Sequence, residues 1–336
     1  MNATAIPGKT ASVFFPAKLQ VAFGEYELPD APPDGKAIVE NEVTLISAGT
    51  ELAMYTETHI SFPDPNNKYA KYPFFPGYNG VGIVRAVGEG VTNVKVGDRL
   101  LHGGKHRAWD VVDPAQYGPL PPEVTSEQAL ILVMANISMA ALRVSQVKVG
   151  ADVVVIGLGL VGNLAGQLFR VAGGRRIVGI DLCRKRLDIA AACGFDHLIN
   201  PSDGPVEERV KAALGGKKAE IVVEAIGLAP TISQALQLAA PFGQVLLLGS
   251  PRKKMEIDPY NQIHGPNVSL IGAHAWRPCM ENPGPNLAYL KDLVISKRLK
   301  VDNLITGRLP FRQIEQGYKG LLEKPDDNMG IAITYR

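Results

Sequence analysis

Three glycines, Gly157, Gly159 and Gly162, occur at G-x-G-x-x-G spacing near the middle of the chain. Glycines at this spacing can hold the pyrophosphate of a dinucleotide. The first permits a tight turn, the second lets phosphates approach the backbone, and the third lets a helix pack close to a strand. The amides and dipole at the N-terminus of that helix then face the phosphates. The other loop residues predicted to lie at the coenzyme are Leu158, Leu160 and Val161.

The segments on either side of this loop have the pattern of buried parallel strands. Residues 153–156 are all β-branched, as expected for a strand covered on both faces. A second predicted strand, residues 176–180, leads to Asp181, where a carboxylate can accept hydrogen bonds from an adenosine ribose. The glycine spacing alone would also fit a turn in another α/β domain. The order of strand, loop, helix, strand and acid favours a dinucleotide site.

The charges after the second strand bear on which dinucleotide is bound. The basic cluster Arg184, Lys185 and Arg186 could receive the 2′-phosphate of NADP, and Arg186 is predicted to contact the coenzyme. Asp181 would repel that phosphate, at a cost on the order of several kcal/mol for like charges in a partly buried site. We therefore expect NAD rather than NADP.

Length and composition exclude several other classes of protein. The chain of 336 residues, with 46% aliphatic and aromatic residues, is long enough for two domains. A formal charge of +2 gives no electrostatic basis for binding nucleic acid or a membrane surface. The longest uncharged apolar stretch, residues 129–142, is shorter than the roughly twenty residues of a membrane span, so it predicts a buried helix. Scattered cysteines and the lack of a visible secretory signal predict a cytoplasmic location.

The hydrophobic pattern changes near residue 150. Residues 1–145 read as short strands broken by Pro and Gly, which predicts an antiparallel, barrel-like domain. Six strands then alternate with helices, which predicts a doubly wound parallel sheet and an α/β fold. The predicted strands are residues 153–156, 177–180, 196–199, 221–224, 245–248 and 268–271. The predicted helices are residues 162–172, 184–193, 206–214, 230–238, 261–264 and 286–297, before a tail of short strands.

The motifs of both halves together resemble the medium-chain dehydrogenase/reductase superfamily, the relatives of zinc alcohol dehydrogenases. The resemblance is carried by Pro-Gly-Tyr-Asn-Gly-Val-Gly-Ile-Val (76–84), Val-Lys-Val-Gly-Asp-Arg (94–99), the glycine loop, and Val-Val-Glu-Ala-Ile-Gly (222–227). It implies a GroES-like β-barrel catalytic domain (1–146), a Rossmann domain (147–288), and a C-terminal return to the first domain (289–336). It also implies an active site in the cleft between domains, and a homodimer formed through the sheet edge at residues 268–271. Further coenzyme contacts implied by the resemblance are Ala225, Ile226 and Gly249.

The zinc ligands of the family are missing from this sequence. Relatives carry Cys-Gly-Thr-Asp where this chain has Ala48-Gly49-Thr50-Glu51, and Gly-His-Glu where it has Gly77-Tyr78-Asn79. Residues 134–136, near the third ligand position, contain neither thiolate nor imidazole. Tetrahedral zinc needs deprotonated sulfur, imidazole or carboxylate donors. We therefore expect no zinc. Residues 46–51, with the Pro-Gly-Tyr motif, look most like the zinc-free branch around bacteriochlorophyllide a dehydrogenase.

Without zinc, a side chain must handle the proton of an alcohol substrate. Tyr78 replaces a metal ligand of the relatives, so we expect its phenol to act as acid and base, or else to fill the vacated pocket. Thr50 matches the family hydroxyl that relays the substrate proton, and Glu51 matches a carboxylate that orients its neighbours. His106 is expected near the cleft, and Asn79 could donate hydrogen bonds to substrate oxygens.

The leading hypothesis is an NAD-dependent, zinc-independent dehydrogenase that converts a small secondary alcohol, such as a polyol, sugar derivative or cyclic alcohol, to a ketone or the reverse. Two alternatives remain open at this stage. One is an NADPH-dependent enoyl or quinone reductase, and the other is a dinucleotide-binding protein without turnover.

Overall fold

A computed structural model describes residues 5–275, 279 and 281–335. The chain divides into two compact units, Met1–Val133 with Ile305–Arg336, and Met134–Leu304. The first division, after Val133, falls earlier than the boundary after residue 146 predicted from the sequence. The second, after Leu304, falls later than the predicted boundary after residue 288. The first division falls earlier because helix Ser126–Val144 contributes residues to both units, whereas the sequence pattern changes only after this helix ends.

The strands, numbered in chain order, are β1 (Lys9–Phe14), β2 (Ala22–Glu27), β3 (Ala37–Leu45), β4 (Gly80–Val87), β5 (Arg99–His102), β6 (Trp109–Val112), β7 (Asp152–Ile156), β8 (Arg176–Ile180), β9 (His197–Ile199), β10 (Ala219–Glu224), β11 (Ala239–Leu247), β12 (Ser269–Gly272), β13 (Gly307–Pro310) and β14 (Ile331–Thr334). The α-helices are α1 (Thr50–Tyr55), α2 (Ser126–Val144), α3 (Leu160–Val171), α4 (Arg184–Ala192), α5 (Val206–Ala213), α6 (Ala229–Leu238), α7 (Gly284–Ile295) and α8 (Ile314–Glu323).

The first unit is built on a sheet with strand order β13-β14-β3-β4-β5, and β6 pairs with β3 beside it. The pairs β14-β3, β3-β4 and β4-β5 are antiparallel, as the alternating pattern predicts, and β1 and β2 form a separate antiparallel pair. Apolar side chains of β3 and β4, including Val39 and Val84, are fully buried in the core of this unit. This sheet confirms the GroES-like part of the predicted fold.

The C-terminal segment completes the sheet of the first unit. Ala332 of β14 pairs with Leu45 of β3, and α8 packs against this region through residues such as Tyr318. The prediction of only short strands in this tail was wrong, because it omitted α8. It also missed α1, because six residues are too few to show a helical period.

The second unit contains a six-stranded parallel sheet with order β12-β11-β10-β7-β8-β9. All five residues of β7 are buried, which is why its sequence is a continuous apolar run. The predicted doubly wound parallel sheet is confirmed. The weak helix predicted at residues 261–264 is a single π-helical turn, Tyr260–His264.

Among the described residues, α2 is the one helix long and apolar enough to cross a membrane. However, 67% of its most apolar window is buried inside the protein. It is a core helix, as residues 129–142 predicted.

Candidate functional site

The glycine loop of the second unit has the geometry that its sequence predicts. Gly157 adopts a φ of +89°, a left-handed conformation that favours glycine. A Cβ on Gly162 would lie 1.8 Å from the carbonyl oxygen of Gly157, so only glycine allows α3 to start this close to β7. Gly159, by contrast, has open space where a Cβ would be. Its backbone is therefore accessible to a phosphate group.

The N-terminus of α3 leaves its amides available for an anion. Gly159 is the N-cap, and no side chain caps the helix there. The side chain of Leu158 is fully buried in the core, and Leu160 is also buried, so these two residues offer backbone rather than side-chain contacts. Val161 is half-buried. The loop can thus bind phosphate oxygens through peptide N–H groups.

Asp181 lies at the C-terminal end of β8 and also braces the glycine loop. Its Oδ2 accepts a hydrogen bond of 2.7 Å from the amide of Leu158, and its Oδ1 accepts one of 2.8 Å from the amide of Cys183. Arg186 Nη1 lies 3.8 Å from Oδ2. Asp181 is 8% exposed, so its carboxylate can meet a ribose hydroxyl only along the edge left free by these partners.

A second turn follows β10 and is organised by Glu224, which the sequence analysis did not single out. The fully buried carboxylate of Glu224 accepts hydrogen bonds from the amides of Ile226 and Gly227, each at 3.0 Å. A Cβ on Gly249 would lie 2.5 Å from the Ile226 nitrogen, and the side chain of Ala225 lies against Gly162. Ala225, Ile226, Gly249 and the glycine loop therefore converge at the C-terminal edge of the sheet. Ile226 is 43% exposed there, so it offers an apolar surface to a coenzyme ring.

In the first unit, Tyr78 lies just before β4 and makes a short hydrogen bond. Its phenolic oxygen is 2.5 Å from Oγ of Ser47, which lies between β3 and α1. Burial raises the pKa of Tyr78 to about 12; hydrogen bonds with Ser47 and Thr50 oppose this rise, and the charge of Glu51 adds to it. The phenol is therefore protonated at neutral pH. The structure thus places the hydroxyl of Thr50 beside the phenol of Tyr78.

Glu51 lies in the first turn of α1 and is only 1% exposed. Its Oε1 accepts a hydrogen bond of 3.1 Å from the amide of Ser47. Its Oε2 accepts one of 2.6 Å from the hydroxyl of Tyr318 and lies 3.0 Å from Nε2 of His106. The carboxylate is thus held by three partners, which come from different parts of the first unit.

His106 is held on both sides of its ring. Its Nδ1 lies 2.7 Å from Oγ1 of Thr44, whose oxygen is also 3.0 Å from the hydroxyl of Tyr335. His106 is fully buried. With both nitrogens engaged and no exposed surface, the ring is placed to hold Glu51 and does not fit the contact with substrate considered from the sequence.

Asn79 is also positioned differently from the expectation. Its Nδ2 donates a hydrogen bond of 2.8 Å to the carbonyl oxygen of Leu130, and the residue is 1% exposed. Its Oδ1 is buried without a hydrogen-bond partner. The amide group thus offers an acceptor, whereas the sequence analysis expected a donor.

The donors around Tyr78 do not fit a tetrahedral zinc ion. Ala48 has no ligand atom, the Tyr78 hydroxyl is bonded to Ser47, and Glu51 and His106 are bonded to each other. Across residues 5–275, 279 and 281–335, no three His, Cys, Asp or Glu side chains are grouped so as to hold a metal ion. Zinc sites in proteins use three or four such ligands.

The sequence did not identify four residues of this site, namely Ser47, Thr44, Tyr318 and Tyr335. Ser47 falls within the quoted 46–51 motif, so its position next to Ala48 was a usable signal. Tyr318 is 267 residues from Glu51 along the chain, and no pattern in the tail connects the two.

Comparisons with known proteins agree with this architecture. The family model described as "Alcohol dehydrogenase GroES-like domain" matches residues 34–111, and "Zinc-binding dehydrogenase" matches residues 161–282. Together they cover more than half of the chain. Both include segments that carry the sites described above, the Tyr78 segment in the first and part of the glycine loop in the second.

Similar proteins match along most of their length. D-xylulose reductase of Saccharomyces cerevisiae is 24% identical, over 94% of this chain and 94% of the relative. D-guloside 3-dehydrogenase of Escherichia coli is 25% identical, over 76% of each. The crystal structure of 2R,3R-butanediol dehydrogenase from Bacillus subtilis superposes with a TM-score of 0.84 at 22% identity, covering 97% of this chain and all of that one. The chain belongs to the medium-chain dehydrogenase/reductase superfamily of alcohol dehydrogenase-like proteins and is an NAD(P)-dependent oxidoreductase.

Proposed function

We propose that the protein interconverts a small, polar secondary alcohol and its ketone without zinc, with Tyr78 as the acid and base. The observation that carries this proposal is the Tyr78 phenol, bonded to Ser47 at 2.5 Å where relatives hold a metal ligand. The misfit of the surrounding donors with zinc supports it. The local likeness of residues 46–51 to the zinc-free branch around bacteriochlorophyllide a dehydrogenase also supports it.

The chemistry requires a hydride and a proton. A nicotinamide coenzyme, which the glycine loop and Asp181 would hold, would supply the hydride acceptor for oxidation and the hydride donor for reduction. In reduction, the Tyr78 O–H donates its proton to the oxygen of the carbonyl as that oxygen gains negative charge. The hydroxyls of Ser47 and Thr50, both bonded to Tyr78, can then pass a replacement proton to it.

The raised pKa of Tyr78 favours one direction. A phenol with a pKa of about 12 is almost entirely protonated at neutral pH, so it can donate a proton but rarely accept one. Rapid oxidation of an alcohol would need a lower pKa of Tyr78, whereas burial raises it. We propose that the protein acts as a ketone reductase at neutral pH.

For the coenzyme we propose NAD. The support is the position of Asp181 at the end of β8. A carboxylate there accepts hydrogen bonds from ribose hydroxyls and repels a 2′-phosphate. Arg186 lies 3.8 Å from Asp181, so part of its charge is already balanced by that carboxylate.

For the substrate we propose a polyol, sugar derivative or cyclic alcohol. The support comes from the relatives, since D-xylulose reductase, D-guloside 3-dehydrogenase and 2R,3R-butanediol dehydrogenase are named for polar hydroxylated compounds.

The test combines a substrate screen with metal analysis. Absorbance of NADH at its long-wavelength band is followed with polyols, cyclitols, their ketones, and enones, before and after treatment with a chelator. We expect turnover of an alcohol–ketone pair, less than one zinc per ten chains, and no loss of activity on chelation. One tightly held zinc per chain would contradict the metal argument. Reduction of enones alone would favour the alternative of an enoyl or quinone reductase. Coenzyme binding without any turnover would favour a non-catalytic dinucleotide-binding protein.

A further inference from the structure

The C-terminal helix α8 contributes a buried hydroxyl to the network beside Tyr78. The hydroxyl of Tyr318 donates a hydrogen bond of 2.6 Å to Oε2 of Glu51, and Tyr318 has no exposed surface. Its ring is held by an edge contact with Phe15, centroids 5.0 Å apart, and by stacking on Tyr55 at 5.5 Å. A tyrosine packed this closely has few other orientations available. The O–H is therefore directed at Glu51 by the core itself.

Glu51 transmits this constraint to the segment before α1. Oε1 of Glu51 accepts a hydrogen bond from the amide of Ser47, so the carboxylate fixes the backbone of Ser47. The side chain of Ser47 is bonded to Tyr78. The carbonyl oxygen of Ser47 in turn accepts a hydrogen bond of 2.9 Å from the amide of Glu51. These two hydrogen bonds fix Ser47 and Glu51 relative to each other, so the Ser47 Oγ has a defined position.

We infer that Tyr318 is a positioning residue for Tyr78, acting through Glu51 and Ser47. The inference rests on the proposed function, in which Tyr78 is the acid and base. It assigns to the C-terminal segment a part in the chemistry in addition to completing the sheet. Tyr318 has no described contact with Tyr78, so its effect must pass through the two hydrogen bonds in between.

Loss of the Tyr318 hydroxyl should loosen this chain of contacts. A buried carboxylate that loses one of three donors rotates toward those that remain or draws in water. Either change disturbs the bond from the Ser47 amide, and the Tyr78 O–H is then no longer held in one direction. The expected result is a slower proton transfer with unchanged coenzyme binding.

The chain offers a matched control. Tyr55 packs in the same cluster and is 1% exposed, but its hydroxyl bonds to the carbonyl oxygen of Leu19 and lies outside the network. Tyr318→Phe and Tyr55→Phe each delete one buried hydroxyl from the same core. If Tyr318 only supports the fold, the two variants should behave alike.

Two measurements separate positioning from packing. The first is the kcat of ketone reduction, expected to fall about tenfold or more in Tyr318→Phe and to stay within threefold in Tyr55→Phe, with the KM for NADH unchanged in both. The second is the ¹³Cζ resonance of Tyr78 in tyrosine-labelled protein, assigned by its loss in Tyr78→Phe. It should shift in Tyr318→Phe and not in Tyr55→Phe.

Variants of Ser47 test the same path if Tyr318→Phe fails to fold. Ser47→Ala should reproduce the shift of the Tyr78 resonance and the fall in kcat, whereas Ser47→Thr should retain most of the activity because it keeps the hydroxyl. An unchanged Tyr78 resonance in both Tyr318→Phe and Ser47→Ala overturns the inference, as do equal effects of Tyr318→Phe and Tyr55→Phe. Should no ketone be reduced by the parent, the proposed function fails, and the resonance still decides whether Tyr318 positions Tyr78.

Discussion

The ionisation of Tyr78 should control the rate of alcohol oxidation, and this can be measured as a function of pH. Burial raises its pKa from an ordinary value near 10 to about 12. The fraction present as phenolate is then on the order of 10⁻⁵ at pH 7 and 10⁻³ at pH 9. If the phenolate accepts the alcohol proton, oxidation should accelerate about tenfold per pH unit between pH 7 and 10. Reduction, which needs the neutral phenol, should stay nearly flat over the same range.

The perturbation is Tyr78→Phe, which keeps the ring and removes only the hydroxyl. Loss of a positioned acid or base lowers turnover by roughly 10² to 10⁴-fold. The variant should show that loss in reduction at pH 7 and should lose the steep rise of oxidation with pH. Coenzyme affinity should be nearly unaltered, because Tyr78 lies outside the glycine loop. The assay is NADH absorbance in both directions, with fluorescence titration of NADH binding.

Tyr72 provides the matched control. Burial raises its pKa to about 12 as well, but its hydroxyl bonds to the carbonyl oxygen of Met54, at 2.7 Å. Tyr72→Phe should therefore leave both profiles as they are in the parent. A Tyr78→Phe variant that turns over within threefold of the parent would refute the reasoning, and so would an oxidation rate that is flat from pH 7 to 9.5. In either case Tyr78 would be a packing residue.

Four further predictions have defined outcomes. Asp181→Ala should narrow the ratio of NAD to NADP affinity while weakening both, since the carboxylate also braces the loop; NADP binding tenfold tighter than NAD in the parent would contradict this. Gly162→Ala should lower the free energy of unfolding by about 1–3 kcal/mol through its clash with Gly157, whereas Gly159→Ala, which has room for a Cβ, should weaken coenzyme binding with little change in melting temperature. Thr50→Val should slow turnover less than Tyr78→Phe, because the Ser47 hydroxyl remains bonded to the phenol; an equal loss would make Thr50 the principal relay. The edge strand β12 should lie in a two-fold interface, so sedimentation at micromolar concentration should give a dimer, and a strictly monomeric mass would exclude it.

The sequence by itself predicted the second unit in detail. Residues 153–156 form a strand because β-branched side chains favour a sheet buried on both faces, and the positive φ of Gly157 is available to few other residues. These are local properties, decided by neighbours a few positions apart. For that reason the order of strands and helices along the chain, and the position of Asp181 at the end of its strand, could be predicted without coordinates.

The arrangement around Tyr78 was decided only by the tertiary structure. The residues that hold Glu51 come from different parts of the chain, His106 before β6 and Tyr318 on α8, and no periodicity relates them. Side-chain direction also depends on packing, since the same motif that placed Asn79 near the site could not reveal that its N–H group is committed to Leu130. The family pattern identified the candidate residues of the site. Whether each one is exposed, buried, donor or acceptor followed from contacts between segments that are distant in sequence, because burial and hydrogen bonding are properties of the folded core.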